Sequence, residues 1–343
     1  MSETSLTDAL LRHALELERL ADGDAIKVDG VLRELSQDLR ILLNSRELSA
    51  SSRREINAII KAADEAIASR YVNIAGVVDT SGIVEVVAER TLDALKVIIP
   101  TAAPPSIETL RSLAGHILID GAPSAAWWAK QSEDTAFKFA AAVRQGVING
   151  RTNEQIVRSV VGGKGETGIL DIARRNARAL VHSSVMTAAN RARLETYRKS
   201  ARYSEGVRWL STLDSHTCIQ CAALDESAWD FDGKPIKGTK IEFQAPPAHW
   251  NCRCILSIIP STSAIADVFG KDIADRFKAT RDRASADGPV KTDMSGWLKR
   301  NPGAAEEILG KKRVDLFQSG KITLTDLVTK SGQPRALDQL KAR

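Results

Sequence analysis

The chain has 343 residues, room for two or three domains, and 43% hydrophobic residues, enough to bury a core. Aromatics are only 5%, and alanine and leucine dominate the apolar set, which favours helix over sheet. No continuous apolar run approaches the ~18 residues of a membrane helix, and Met1-Ser-Glu-Thr-Ser5 lacks the basic and apolar regions of a secretory signal. The expectation is a soluble chain made in the cytoplasm, with no membrane partner.

Net charge is +5, carried entirely by residues 261–343, where 16 Lys and Arg face 11 Asp and Glu. A basic tail of this kind suits a nucleic acid or an acidic protein surface, but five charges over such a length also fit a solvated helical face.

Residues 1–100 read as long amphipathic helices. Leu10, Ala14, Leu17 and Ala21 keep helical spacing, as do Leu32, Leu35, Leu39 and Leu42, then Ile56, Ile60, Ala63 and Ile67. Such stripes serve equally for a bundle or for a docking arm. Two prolines in Thr101-Ala-Ala-Pro-Pro-Ser106 interrupt the pattern and mark a boundary. Adjacent Trp127 and Trp128 suit a core or an interface. Helical spacing resumes at Phe137 and stops at Asn149-Gly150. Thr152 and Gln155 then form a capping box that opens a helix to about Val161. Gly162-Gly163-Lys164-Gly165 has neither a leading strand nor a following Lys-Ser/Thr pair, so it reads as a turn and not as a nucleotide loop. A long helix from about Leu170 to Ser200 follows. Its seven basic residues scatter around the axis instead of forming a DNA-reading face.

The pattern changes at Gly206, where a strand runs to Leu213 and Asp214 opens a turn suited to a bond with the N–H two residues on. All four cysteines lie between 218 and 254. Cys218-Ile-Gln-Cys221 has the spacing of a metal knuckle, and His249 and Cys252 repeat the same gap as a second half-site. A soft set of three sulfurs and one imidazole suits tetrahedral zinc in a structural role, with Cys254 and His216 as spare ligands. Packed reduced thiols are the main competing reading. A redox pair lacks its βαβ setting, and a Cys–His nucleophile lacks a third orienting residue. A strand from Ile255 to Ile259 closes the segment.

These residues resemble the phage Mu F-like head morphogenesis family, the minor capsid or minor head proteins. The likeness runs through Thr187-Ala-Ala-Asn190-Arg-Ala-Arg193, Trp209-Leu-Ser-Thr-Leu-Asp214, Cys218-Ile-Gln-Cys221-Ala-Ala-Leu-Asp225 and Pro246-Pro247-Ala248-His249-Trp250-Asn251-Cys252-Arg253-Cys254. It is strongest over about 140–260, and Trp297-Leu298, Leu316-Phe317 and Asp326-Leu327-Val328 resemble tails of such proteins. The expected fold is mostly α (α+β): an N-terminal helical arm (1–100), a central helical domain (101–206), a strand-rich Cys/His module (207–260, forming the Mu F-like core with 140–206) and a helical basic tail (261–343). The resemblance places the family's Cys/His positions at Cys218, Cys221, His249 and Cys252. It implies a structural head protein of a tailed phage, not an enzyme. Such a protein is present in few copies near the portal and contacts portal or major capsid protein. It resides in the virion, at the head interior or portal vertex, after assembly in the host cytoplasm. The alternative is a DNA-binding protein packaged in the head and ejected with the genome. A nuclease or toxin-type activity is least favoured, since no histidine follows His249 and the tail shows no paired carboxylates beside one.

Overall fold

A computed structural model of the chain describes residues 6–163, 165–273, 283–285, 288–290 and 292–341. Its helices are α1 (Leu6–Leu43), α2 (Arg53–Ala75), α3 (Thr80–Lys96), α4 (Ile107–Gly115), α5 (Ser124–Ile148), α6 (Asn153–Val161) and α7 (Ile169–Lys199). Then come β1 (Ser204–Leu210), α8 (Ile219–Leu224), β2 (Ala228–Trp229), β3 (Pro235–Ile236), β4 (Ile255–Pro260) and α9 (Thr262–Phe269). A short ladder, β5 (Arg283–Ser285) with β6 (Gly288–Val290), and the helices α10 (Met294–Arg300), α11 (Pro302–Leu309), α12 (Lys311–Gln318) and α13 (Leu337–Lys341) complete the order. The chain is mostly helical with a small four-stranded antiparallel sheet, β3-β2-β1-β4, as the sequence predicts.

One compact unit comprises residues 19–80 and 116–185, a helical assembly in which α2 packs along α5. The leucine and isoleucine stripes bury as expected, with one correction. Leu43, not Leu42, continues the α1 stripe, because a position four residues after Leu39 stays on the buried face. The α5 helix starts at Ser124, well before Phe137, so both tryptophans lie in its first turns: Trp128 is buried against Tyr71, while Trp127 donates to the Ile119 carbonyl. Thr152 caps α6 through the expected box with Gln155. Asn153 beside it donates to the Leu43 and Arg46 carbonyls and accepts from Leu48 N–H, which satisfies the end of α1. The stretch Arg53–Lys96 is apolar enough for a membrane span by composition, yet it divides into α2 and α3 at Gly76. Arg70 within it is ion-paired with Asp38 and Glu34.

The second unit comprises residues 1–18, 81–115 and 186–343. Here the end of α7 lies on the sheet. Asn190 donates to the Cys254 carbonyl and accepts from Leu256 N–H, so one side chain acts as a strand partner for β4. Arg193 is buried completely, its Nε and Nη2 without hydrogen-bond partners among the described residues. Trp297, Leu298, Leu309, Phe317 and Leu327 from the tail share one core with Trp209, Leu213, Leu224 and Trp229 of the sheet region. Tail residues 274–282, 286–287, 291 and 342–343 lie outside the described residues.

Candidate metal centre

The two half-sites lie on separate elements. Cys218 is the N-cap of α8, its sulfur accepting from Cys221 N–H, so the first pair sits at a helix start and not on a plain turn. The second pair is set by the loop before β4. Asn251 takes the left-handed conformation (φ 60°), which asparagine tolerates, and Cys252 N–H returns to the His249 carbonyl.

The fold brings the pairs together. Cys218 Sγ and Cys221 Sγ lie 3.0 and 3.1 Å from His249 Nε2, and Cys221 Sγ lies 3.6 Å from Cys252 Sγ. Tetrahedral zinc sets sulfur and nitrogen donors roughly 3.5–3.8 Å apart, as follows from its bond lengths. The Cys221–Cys252 spacing lies within that range, and the two sulfur–nitrogen spacings fall about half an ångström below it. His249 Nδ1 lies 2.8 Å from the Trp250 carbonyl, which holds the ring and, with Nδ1 protonated, turns the Nε2 lone pair toward the sulfurs. Hydrogen bonding with Cys221 pulls the Cys218 thiol down to about 4, and Cys218 and Cys252 raise His249 to about 11. Cys218 and Cys252 thus favour thiolate, the form a soft metal takes, whereas hydrogen bonding with Cys218 holds the Cys221 thiol well above its usual range; Cys221 and the imidazole would give up their protons on binding.

The spare ligands separate. The ligand atoms of Cys221, Cys252 and Cys254 lie within 4.8 Å of one another, so Cys254 borders the cluster. Its sulfur, however, lies 3.7 Å from Ser211 Oγ, and burial raises its pKa well above the usual thiol range, which suits a packed thiol. His216 is exposed and outside the clustered ligand atoms; its backbone N–H donates to Asp214, the bond expected of that turn.

Several residues that hold the site gave no chemical signal in the sequence. Arg253 grips Asp214 through two hydrogen bonds of 2.5 and 2.7 Å. Ser211 accepts from Trp209 Nε1 and donates to the Cys221 carbonyl. Asp225 accepts from Ser211 N–H with one oxygen and from Met294 N–H with the other. Their positions inside the W-x-S-T-L-D, L-D and N-C-R runs were the available hint.

Fold and site together define a helical protein carrying a compact module closed by a Cys/His cluster. Residues 138–257, about a third of the chain, match the family model described as Phage Mu protein F like protein, and the resemblance read from the motifs holds over that stretch. The match spans α6, α7, β1 and the whole cluster, and it supports a bacteriophage head-morphogenesis protein. No curated protein and no solved structure matches the chain.

Proposed function

We propose that the chain is a structural minor head protein of a tailed bacteriophage that acts near the portal during capsid assembly or DNA packaging. The observation that carries this reading is the family-model match over residues 138–257, within which Cys218, Cys221 and His249 form one donor group that Cys221 joins to Cys252 and Cys254. Zinc fits the donor set and would act as a staple joining α8 to the loop before β4, contributing folding energy instead of chemistry. The long helices supply surface for portal or major capsid protein. Ile26 and Ile41 on α1 and Val72 on α2 are exposed apolar side chains on faces turned from the core. Copurification with portal protein from infected cells, together with a mass-spectrometric inventory of intact particles, tests the assignment. Absence of the chain from purified heads and from portal complexes would overturn it.

A further inference from the structure

The glycine-rich stretch before α7, which the cluster leaves unused, closes between Gly163 and Glu166; Lys164 lies outside the described residues. Gly163 and Glu166 exchange two backbone hydrogen bonds. A Cβ on Gly162 would meet Asp171 Oδ2 at 2.1 Å, and one on Gly168 would meet Gly162 N at 2.1 Å, so the stretch closes onto the start of α7 only with glycine there. Gly165 (φ 80°) faces open space.

This stretch and the first turns of α7 wall a cleft of about 700 Å³, lined also by Asp29, Asp171, Arg174, Arg175 and Arg178, all within the unit of residues 19–80 and 116–185. That volume is in the range of small-molecule sites. Its charges are unequally engaged. Arg174 is bound to Asp29 by two hydrogen bonds of 2.5 and 3.1 Å, and Arg33 takes the same carboxylate. Asp171 accepts from Gly168 N–H and so occupies the helix start itself. Arg175 and Arg178, three residues apart on one exposed face, make no hydrogen bond or ion pair among the described residues. Among the described residues, Glu166 is the acid of the lining without a cation partner.

We propose that this cleft binds phosphate, with Arg175 and Arg178 as the ligating residues. Each guanidinium offers a planar fork matched to an oxyanion. Two free forks over one cleft call for more than one negative charge, which a diphosphate or a nucleic-acid backbone supplies and a single carboxylate does not. Arg174, locked by Asp29, shapes the wall. Glu166 opposes the anion and sets an upper limit on affinity.

The full-length chain is titrated with inorganic pyrophosphate by calorimetry and with a short labelled duplex DNA by fluorescence anisotropy. The variants are Arg175→Gln with Arg178→Gln, Glu166→Gln, and Arg151→Gln, an exposed arginine outside the cleft lining. The double variant should lose about tenfold in affinity and, on DNA, about 2 from the log–log salt slope, one per phosphate contact. Glu166→Gln should tighten binding and Arg151→Gln should leave it unchanged. Pyrophosphate binding without duplex binding assigns the site to a free anion; duplex binding displaced by pyrophosphate assigns it to nucleic acid. An equal loss in Arg151→Gln, or binding of neither probe by the unmodified chain, overturns the proposal. Unchanged melting of the double variant, whose two side chains are exposed, excludes unfolding as the cause.

Discussion

Arg253, the residue between Cys252 and Cys254, is joined to Asp214, four residues before Cys218, by a two-pronged ion pair of 2.5 and 2.7 Å. Burial alone would raise the Asp214 pKa, but the Arg253 hydrogen bonds hold it below the ordinary carboxylate range. The pair ties the two half-sites together from outside the donor set. Asp214→Asn should therefore lower metal affinity by roughly 10- to 100-fold, as loss of an outer-shell support does. Competition with a zinc-binding dye measures this; unchanged affinity would show the pair to be irrelevant to the site.

Elemental analysis of chain purified without a metal-affinity tag should find about one zinc per chain, the count of a single tetrahedral site. Cys221→Ser should abolish it, and Cys254→Ser should keep it if Cys254 is a packed thiol. Hydrogen exchange on Cys221→Ser should show loss of protection in β1 and β4 and in α10, whose Met294, Trp297 and Leu298 share a core with Trp209 of β1, while α2 and α5 stay protected. Zinc retained by Cys221→Ser would refute the ligand assignment.

His13 is buried in the unit that holds the sheet, and burial, with Arg193 and Arg90 nearby, lowers its pKa from 6.5 to about 3. The unfolded chain thus binds a proton between those values that the folded chain refuses. Stability should be unaffected by this group above pH 6.5 and fall as pH drops from 6.5 toward 3, by on the order of a few kcal/mol. Denaturation midpoints measured across that window should fall less steeply in His13→Gln; an identical slope would exonerate the histidine.

Gly146 sits in α5 against fully buried Ile156 of α6. A Cβ there would lie 2.5 Å from Ile156 Cγ1, too close for either side to keep its place. Gly146→Ala should therefore destabilise by about 1–3 kcal/mol despite the helix-propensity gain of about 1 kcal/mol. Adding Ile156→Val, which removes the Cδ1 methyl, should restore part of the loss. A stabilised Gly146→Ala chain in urea denaturation would contradict this packing.

Much of the helical architecture was readable because amphipathic spacing and capping boxes are local. Leu32, Leu35, Leu39, Thr152 and the Asp214 turn behaved as their neighbours in sequence dictate. The Cys/His half-sites were readable too, since each pair carries its own two-residue gap. What no local pattern could supply was which faces meet. Asn190 completes the β4 edge from 64 positions away, and Arg193, one basic residue among seven on α7, is drawn fully inside. The adjacency of Trp127 and Trp128 fits neither helical nor strand spacing, so the first turns of α5 carried no periodic signature. The tail read as basic because charge is counted along the chain, whereas its Trp297, Leu298 and Leu327 earn their place only through contacts with Trp209 and Leu224.

Asp225 divides its two oxygens between Ser211, beside the cluster, and Met294, at the head of α10. A polypeptide terminated after residue 260 would lose the Met294 bond to that carboxylate and turn the Leu213 and Leu224 side to water. Shortened versions should therefore self-associate when expressed, and the C-terminal helices are better regarded as the missing wall of the cysteine module than as an appendage.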